Sequence, residues 1–150
     1  MDRTKLIEEA QIRNKRLRLC KKWCAYGIEI SIDDFLDPKI IGLGYVFPLL
    51  DNFDAQEKCI VCPINCGLGD FIEQVNKNIS KDMEYLFFEE QSSEIGAIKI
   101  SGNIILNNID FIIKTSPYFN NGNNICIFSA DLKKGVCLWR SEYDTRIYVW

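Results

Sequence analysis

An α+β fold is what this sequence predicts, and three observations predict it. Residues 4–26 form a highly charged segment free of Gly and Pro, short β-branched and aromatic runs dominate the second half, and "NNGNN", "DLKKG" and "SEYDT" punctuate the last third at hairpin spacing. The first is a helix signal and the other two are strand signals. Because strands follow helices in blocks, the sheet is expected to be antiparallel.

The long helix is read over residues 4–26, with Asp2 as N-cap and Gly27 as the stop. Its apolar positions fall in two rows, Leu6, Ala10, Leu17, Cys24 and Ile12, Leu19, Trp23, Tyr26, with Glu9, Arg13 and Arg16 between them. Such imperfect amphipathicity suits a helix lying across a body rather than through its core. A short helix is expected at "SIDDFLD" before Pro38, and a strand at "GLGYVF". "EKCIVCP" reads as a strand, and Asp70-Phe71-Ile72-Glu73 has the capping-box pattern for a second helix running to about Ser80. "MEYLFFEE" and "EIGAIKIS" are strand candidates by composition. "GNIILNNIDFIIKTS" fits neither period well. "ICIFSA", "VCLWRS" and "RIYVW" complete a C-terminal β-meander, with Asn121-Gly122 suited to a turn needing positive φ. At 150 residues the chain fits a single domain, 1–150, with the N-terminal helix docked on an α+β body.

The net charge of −3 conceals an asymmetry. Residues 1–27 carry eight Lys or Arg against three acids, whereas residues 28–150 carry ten against eighteen. An acidic body disfavours nucleic acid as its main ligand, since phosphate contacts need clustered positive charge. The basic run "RNKRLRLCKKW" keeps RNA binding open as the alternative; a solvated helix paired with the acidic body is the plainer account. The start "MDRTKLIEEAQ" lacks the apolar run of a secretory signal, and the longest apolar stretch, "IIGLGYVFPLL", is too short and too broken to span a bilayer. A cytoplasmic chain with reduced thiols, making no use of a membrane, is therefore expected.

Cys59, Cys62 and Cys66 sit close together in "KCIVCPINCG". A zinc site needs four ligands, and paired cysteines usually lie on tight turns. Here Ile60 and Val61 favour an extended chain, which directs Cys59 and Cys62 to opposite faces. A redox pair would sit at a helix N-terminus, and Cys62 precedes Pro63 instead. Buried structural thiols on a core strand are the preferred reading, with no metal and no cofactor.

The chain has no histidine. That removes Ser-His-Asp and Cys-His nucleophilic machinery, histidine-ligated zinc and the commonest general base. Gly42-Leu-Gly44 and Gly67-Leu-Gly69 lack the remaining residues of a dinucleotide or P-loop motif, so turns account for both. No catalytic constellation remains, and a non-enzymatic role is expected.

The small size, missing histidine, acidic body, abundant Ile, Asn and Lys, and strand-rich tail "GVCLWRSEYDTRIYVW" together resemble the immunity proteins of contact-dependent inhibition and other polymorphic toxin systems. The resemblance implies a bacterial protein that binds one cognate toxin domain, often a basic nuclease, and blocks it. Candidate contacts are the acids Glu84, Glu89, Glu90 and Glu94 flanking one strand pair, Asp51, Asp54 and Glu57 in one loop, and the aromatic anchors Trp139, Tyr143 and Trp150.

Overall fold

A computed structural model describes residues 2–120 and 122–150. Its elements run α1 (Arg3–Cys24), α2 (Phe47–Ala55), β1 (Ile60–Pro63), α3 (Leu68–Asn78), β2 (Glu84–Phe87), α4 (Ser92–Ile95), β3 (Ile98–Ser101), α5 (Gly102–Asn107), α6 (Ile109–Thr115), β4 (Asn124–Phe128), β5 (Gly135–Arg140) and β6 (Asp144–Val149). The six strands form one antiparallel sheet in the order β1-β6-β5-β4-β2-β3. The fold is α+β and ends in the expected meander.

Alternation along the strands sends side chains to two cores. Ile125 and Ile127 of β4 join one cluster, while Cys126 and Phe128 join the other. All five β4 residues are buried because both faces of the strand are covered. On the first face lie Leu19 and Trp23 of α1, Phe71 and Val75 of α3, Ile105 of α5, and Ile112 and Ile113 of α6. The second face receives Val46 and Leu50 at the start and middle of α2, packed on Leu86, Phe88, Phe128 and Tyr148.

Helix α1 begins where the sequence places it, with Asp2 accepting a bond from the Thr4 amide at 3.0 Å. It ends at Cys24, and Gly27 turns the chain away at φ 79°. Trp23 is the anchor, fully buried against Phe87 and edge-on to Phe111 at 5.2 Å. Arg16 ties the helix to α4, its Nε donating to the Ile95 carbonyl at 2.9 Å and its guanidinium lying over the Phe35 ring. Lys15 pairs with Glu94. The helix thus lies across the body, but Leu6 and Leu17 are exposed and belong to neither core cluster.

Several local expectations are corrected. "GLGYVF" forms no strand; a 3-10 turn (Leu43–Tyr45) leads into α2, whose Pro48 occupies the first turn, where a missing amide donor is harmless. "SIDDFLD" gives one 3-10 turn capped by Ser31. Helix α3 starts at Gly67, not at Asp70, because Gly67 takes φ 95° and lets the chain turn straight from β1 into the helix. "GNIILNNIDFIIKTS" becomes α5 and α6, broken at Asn108. Asn121 of the expected turn lies outside the described residues.

Strand β1 is an edge strand with only Cys62 buried, not a core strand. At the opposite edge, β3 is bridged by Phe35 at Ile98. Gly96 makes that approach workable: its φ is 88°, and a Cβ there would lie 1.7 Å from the Leu36 carbonyl oxygen. Among the described residues no helix is long and apolar enough to cross a membrane.

Candidate functional site

Six of the ten expected contact residues fall into two places. The first is a charged cleft of about 420 Å³ between α1 and residues 89–94, lined by Lys15, Arg18, Lys22, Glu89, Glu90 and Glu94. The expectation that Glu84, Glu89, Glu90 and Glu94 all present carboxylates to a partner is corrected here. Glu89 is 2% exposed and accepts the Gln91 amide at 2.8 Å, and burial pushes its carboxyl above the usual glutamate range. Glu94 is engaged by Lys15, and Glu84 of β2 approaches Lys99 of the edge strand β3 at 3.8 Å. Of the cleft acids, Glu94 pairs with Lys15 of α1 and Glu89 is buried, while Glu90 is exposed. The Lys15–Glu94 pair joins stretches remote in sequence, which no local reading of the 84–94 segment reveals.

The second place brings together residues from distant stretches. A groove of about 340 Å³ opens on the second face of the sheet, lined by Phe47, Leu50, Asp51, Asp54, Trp139 and Tyr148. One wall is α2, whose turns set Phe47, Leu50, Asp51 and Asp54 along the side facing β5 and β6. Trp139 of β5 stands edge-on to Phe47 at 5.2 Å and is only half-buried. Phe47 is 42% exposed, so the pair forms an open aromatic rim.

Asp54 is the polar centre. It accepts hydrogen bonds from Arg146 Nη1 and from the Tyr148 hydroxyl, both at 2.9 Å, and from the Cys59 thiol at 3.7 Å. Arg146 is held also by Asp144 at 3.2 Å. These carboxylates hold the guanidinium more firmly protonated than usual, while burial, and then the bond to Asp54, pushes the Tyr148 phenol up. The network fixes α2 to β6. Asp51, one helical turn earlier, is exposed and has no ion-pair partner among the described residues. The groove therefore offers apolar side chains, an open aromatic rim and one carboxylate without an ion-pair partner among the described residues.

Asp51 and Asp54 of the groove lie on a helix and not in a loop. The remaining expected residues are placed elsewhere, and Glu57 is an exposed residue just beyond that helix. Trp150 packs against Phe53 at 5.7 Å and donates its indole N–H to the Leu132 carbonyl at 2.8 Å, a role in holding the meander. Tyr143 is 87% exposed in the β5–β6 turn and lines neither site. Phe47, Leu50, Tyr148 and Arg146 were missed. The i, i+4, i+7 spacing of Val46, Leu50 and Phe53, with Pro48 in the first turn, was the available helix signal, obscured by the aromatic and branched residues of "GYVF".

The cysteines do not form a site. Cys59 packs in the cluster on the α2 face and Cys62 in that on the α3 face, so the two point to opposite sides of β1. Burial pushes both thiols up, and the charges of Asp54 and Asp70 add to the effect. A reactive thiol needs the reverse. Among the described residues no group of three or more Cys, Asp or Glu is arranged to hold a metal ion.

With this geometry in view, comparison with known proteins gives one match: the family model described as YxiF protein covers residues 52–150, from the last turns of α2 through β6. No curated protein and no solved structure matches the chain.

Proposed function

The chain belongs to the YxiF protein family, and from that premise we propose that it is a non-catalytic binding protein that neutralises a cognate toxin domain in the cytoplasm, using the groove between α2 and β5–β6. The family description names no activity, so the support comes from the groove itself. The single observation that carries the reading is the half-open Phe47–Trp139 pair beside Asp51, an exposed carboxylate with no ion-pair partner among the described residues. Aromatic anchors supply contact area at low entropic cost, and a peripheral carboxylate steers a basic partner. An apolar side chain flanked by Lys or Arg, as on a basic nuclease surface, fits that arrangement. The lack of histidine supports a role without catalysis.

The alternative, RNA held on α1, draws on the exposed Arg13, Arg18, Lys21 and Lys22. Against it, Lys15 and Arg16 are committed to the body and Glu90 and Glu94 stand across the cleft from Arg18 and Lys22.

The test is protection of cells that express any toxin-like C-terminal region found to be encoded beside this chain. Wild type is expected to protect, and Phe47→Ala with Asp51→Lys to fold normally yet lose binding by about 1 to 3 kcal/mol. Unimpaired protection by the folded double variant would remove the groove from the interface. Failure of the wild type to protect, joined to salt-sensitive RNA binding, would favour the alternative.

A further inference from the structure

The cysteines of the 58–67 stretch form no site, but two others stand opposite each other in the middle of the sheet. Cys126 of β4 and Cys137 of β5 are Cα partners in the antiparallel register, and both are fully buried. The ladder bonds fix which kind of pair they make. Arg140 donates its amide to the Asn123 carbonyl at 2.7 Å, and Ser129 donates its amide to the Lys134 carbonyl at 2.8 Å. Bonded and unbonded pairs alternate along an antiparallel ladder. Asn123 with Arg140, Ile125 with Leu138, and Ile127 with Val136 are therefore the bonded pairs, and Cys126 with Cys137 is an unbonded one.

At such a position the Cα atoms lie about 4.5 Å apart and the side chains approach more closely than in a bonded pair. A disulfide needs Cα atoms roughly 4.4 to 6.8 Å apart, so the spacing falls at the short end of the usable range. Both side chains lie in the core cluster on the α2 face. There the Cys126 thiol adjoins the Cys137 sulfur, adding to the upward push that burial gives the Cys137 thiol. No other cysteine is so placed among the described residues. Cys59 packs on the same face beside β1, but β6 lies between β1 and β5, which sets it about two strand spacings of 4.8 Å away. Cys20 and Cys62 pack on the opposite face, and Cys24 and Cys66 are exposed.

The pair is covered by the half-sealed layer of α2. Tyr148, opposite Cys137 on β6, and Trp139, two residues along β5, line the groove together with Leu50 of α2. Val46 and Leu50 share the cluster with both cysteines. Thiols so buried are inert while that layer is closed. We propose that Cys126 and Cys137 are a reversible thiol–disulfide site, gated by α2 and oxidised by a small-molecule disulfide when α2 lifts. One cysteine loses its proton and attacks a sulfur of the small disulfide, which expels one small thiolate. The other cysteine, once deprotonated, attacks the mixed disulfide and expels the second. Two S–H bonds are lost, one S–S bond joins the strands, and the small disulfide takes up two electrons and two protons to become two thiols. The strand register persists because it already holds the sulfurs side by side. This proposal rests on the ladder and is independent of the toxin-binding reading.

The test uses the full chain carrying Cys24→Ser and Cys66→Ser, incubated with glutathione disulfide, quenched in acid, alkylated and mapped by peptide mass spectrometry. A Cys126–Cys137 link is expected, with unchanged circular dichroism and full reversal by dithiothreitol. The urea midpoint of the oxidised form should rise, since the link also restrains the unfolded chain. Asp54→Ala removes the acceptor that ties α2 to Arg146 and Tyr148, and it should speed the reaction several-fold, as should low urea on the chain that keeps Asp54. Thiols that stay free even after refolding in the same oxidant, a link to Cys59 instead, or a link that forms only with loss of the native spectrum would each overturn the proposal. Rates indifferent to both Asp54→Ala and low urea would remove α2 as the gate.

Discussion

On one face of the sheet, α1, α3, α5 and α6 press Trp23, Phe71, Val75, Ile105 and Ile112 against the strands, and all five are fully buried. On the other face the nine-residue α2 contributes Val46 and Leu50, and Phe47 and Trp139 remain partly open at its side. One sheet thus carries a sealed face and a half-sealed face. Apolar atoms on the first have given up water for stability, while some on the second remain available to a partner.

The largest expected effect that sharpens this contrast is on stability. Trp23→Ala should cost about 3 to 5 kcal/mol, the range for removing a fully buried aromatic. Trp139→Ala, on the half-sealed face, should cost well under half of that in urea unfolding while impairing partner binding. Equal costs would erase the distinction between the faces.

Next in size is Tyr148→Phe, which removes a hydrogen bond to the Asp54 carboxylate and should cost about 1 to 2 kcal/mol. Because the folded state raises the Tyr148 pKa, its contribution is whole below the ordinary tyrosine value of about 10 and is lost as pH rises beyond it. The alkaline limb of the stability curve should therefore be flatter in Tyr148→Phe than in wild type. Coincident alkaline limbs would mean that neither burial nor Asp54 raises the Tyr148 phenol in solution.

A smaller change is expected at Glu89. Its raised carboxyl pKa means that the folded state holds the proton more tightly, so wild-type stability falls as pH climbs from the ordinary glutamate value of about 4.3. Glu89→Gln should lack that decline and be at least as stable as wild type at neutral pH. Lower stability at neutral pH would show that the carboxylate, with Lys22 nearby, contributes more than burial takes away.

The smallest effect is expected for Cys62→Ser. A buried hydroxyl without a partner would cost about 1 to 3 kcal/mol. Here Asp70 lies within reach of the Cys62 sulfur at 3.7 Å, and the serine hydroxyl can donate to it, which should hold the loss to about 1 kcal/mol or less. A loss of several kcal/mol would show that the sealed face is intolerant even at its edge strand.

The elements visible in the sequence were those fixed by local chemistry: the Asp2 cap, the Gly27 stop and the turns that punctuate the meander. Two-sided burial made "ICIF" a continuous apolar run, and it was legible as a strand for that reason. What escaped detection depended on distant partners. Helix α2 resembles a strand until β5 and β6 supply the surface on which its apolar side packs. Glu89 looks like a surface acid until α1 closes over it. Asp51, Asp54 and Trp139 were each singled out in the sequence, but only the pairing of β5 with β6 and the docking of α2 place them around one groove.

The Asp54 network has a consequence for how the molecule is made. Asp54 lies 92 positions from Arg146 and 94 from Tyr148, and β1, only a few residues beyond Asp54, pairs with β6 alone. As the chain leaves the ribosome, α2 and β1 must wait, without their partners, until β6 has emerged. The β4–β5 and β5–β6 hairpins close over short loops and can form first, whereas long loop closures come late. The groove would then be the last part of the surface to take shape, and a nascent chain would display it only after the sheet had been completed.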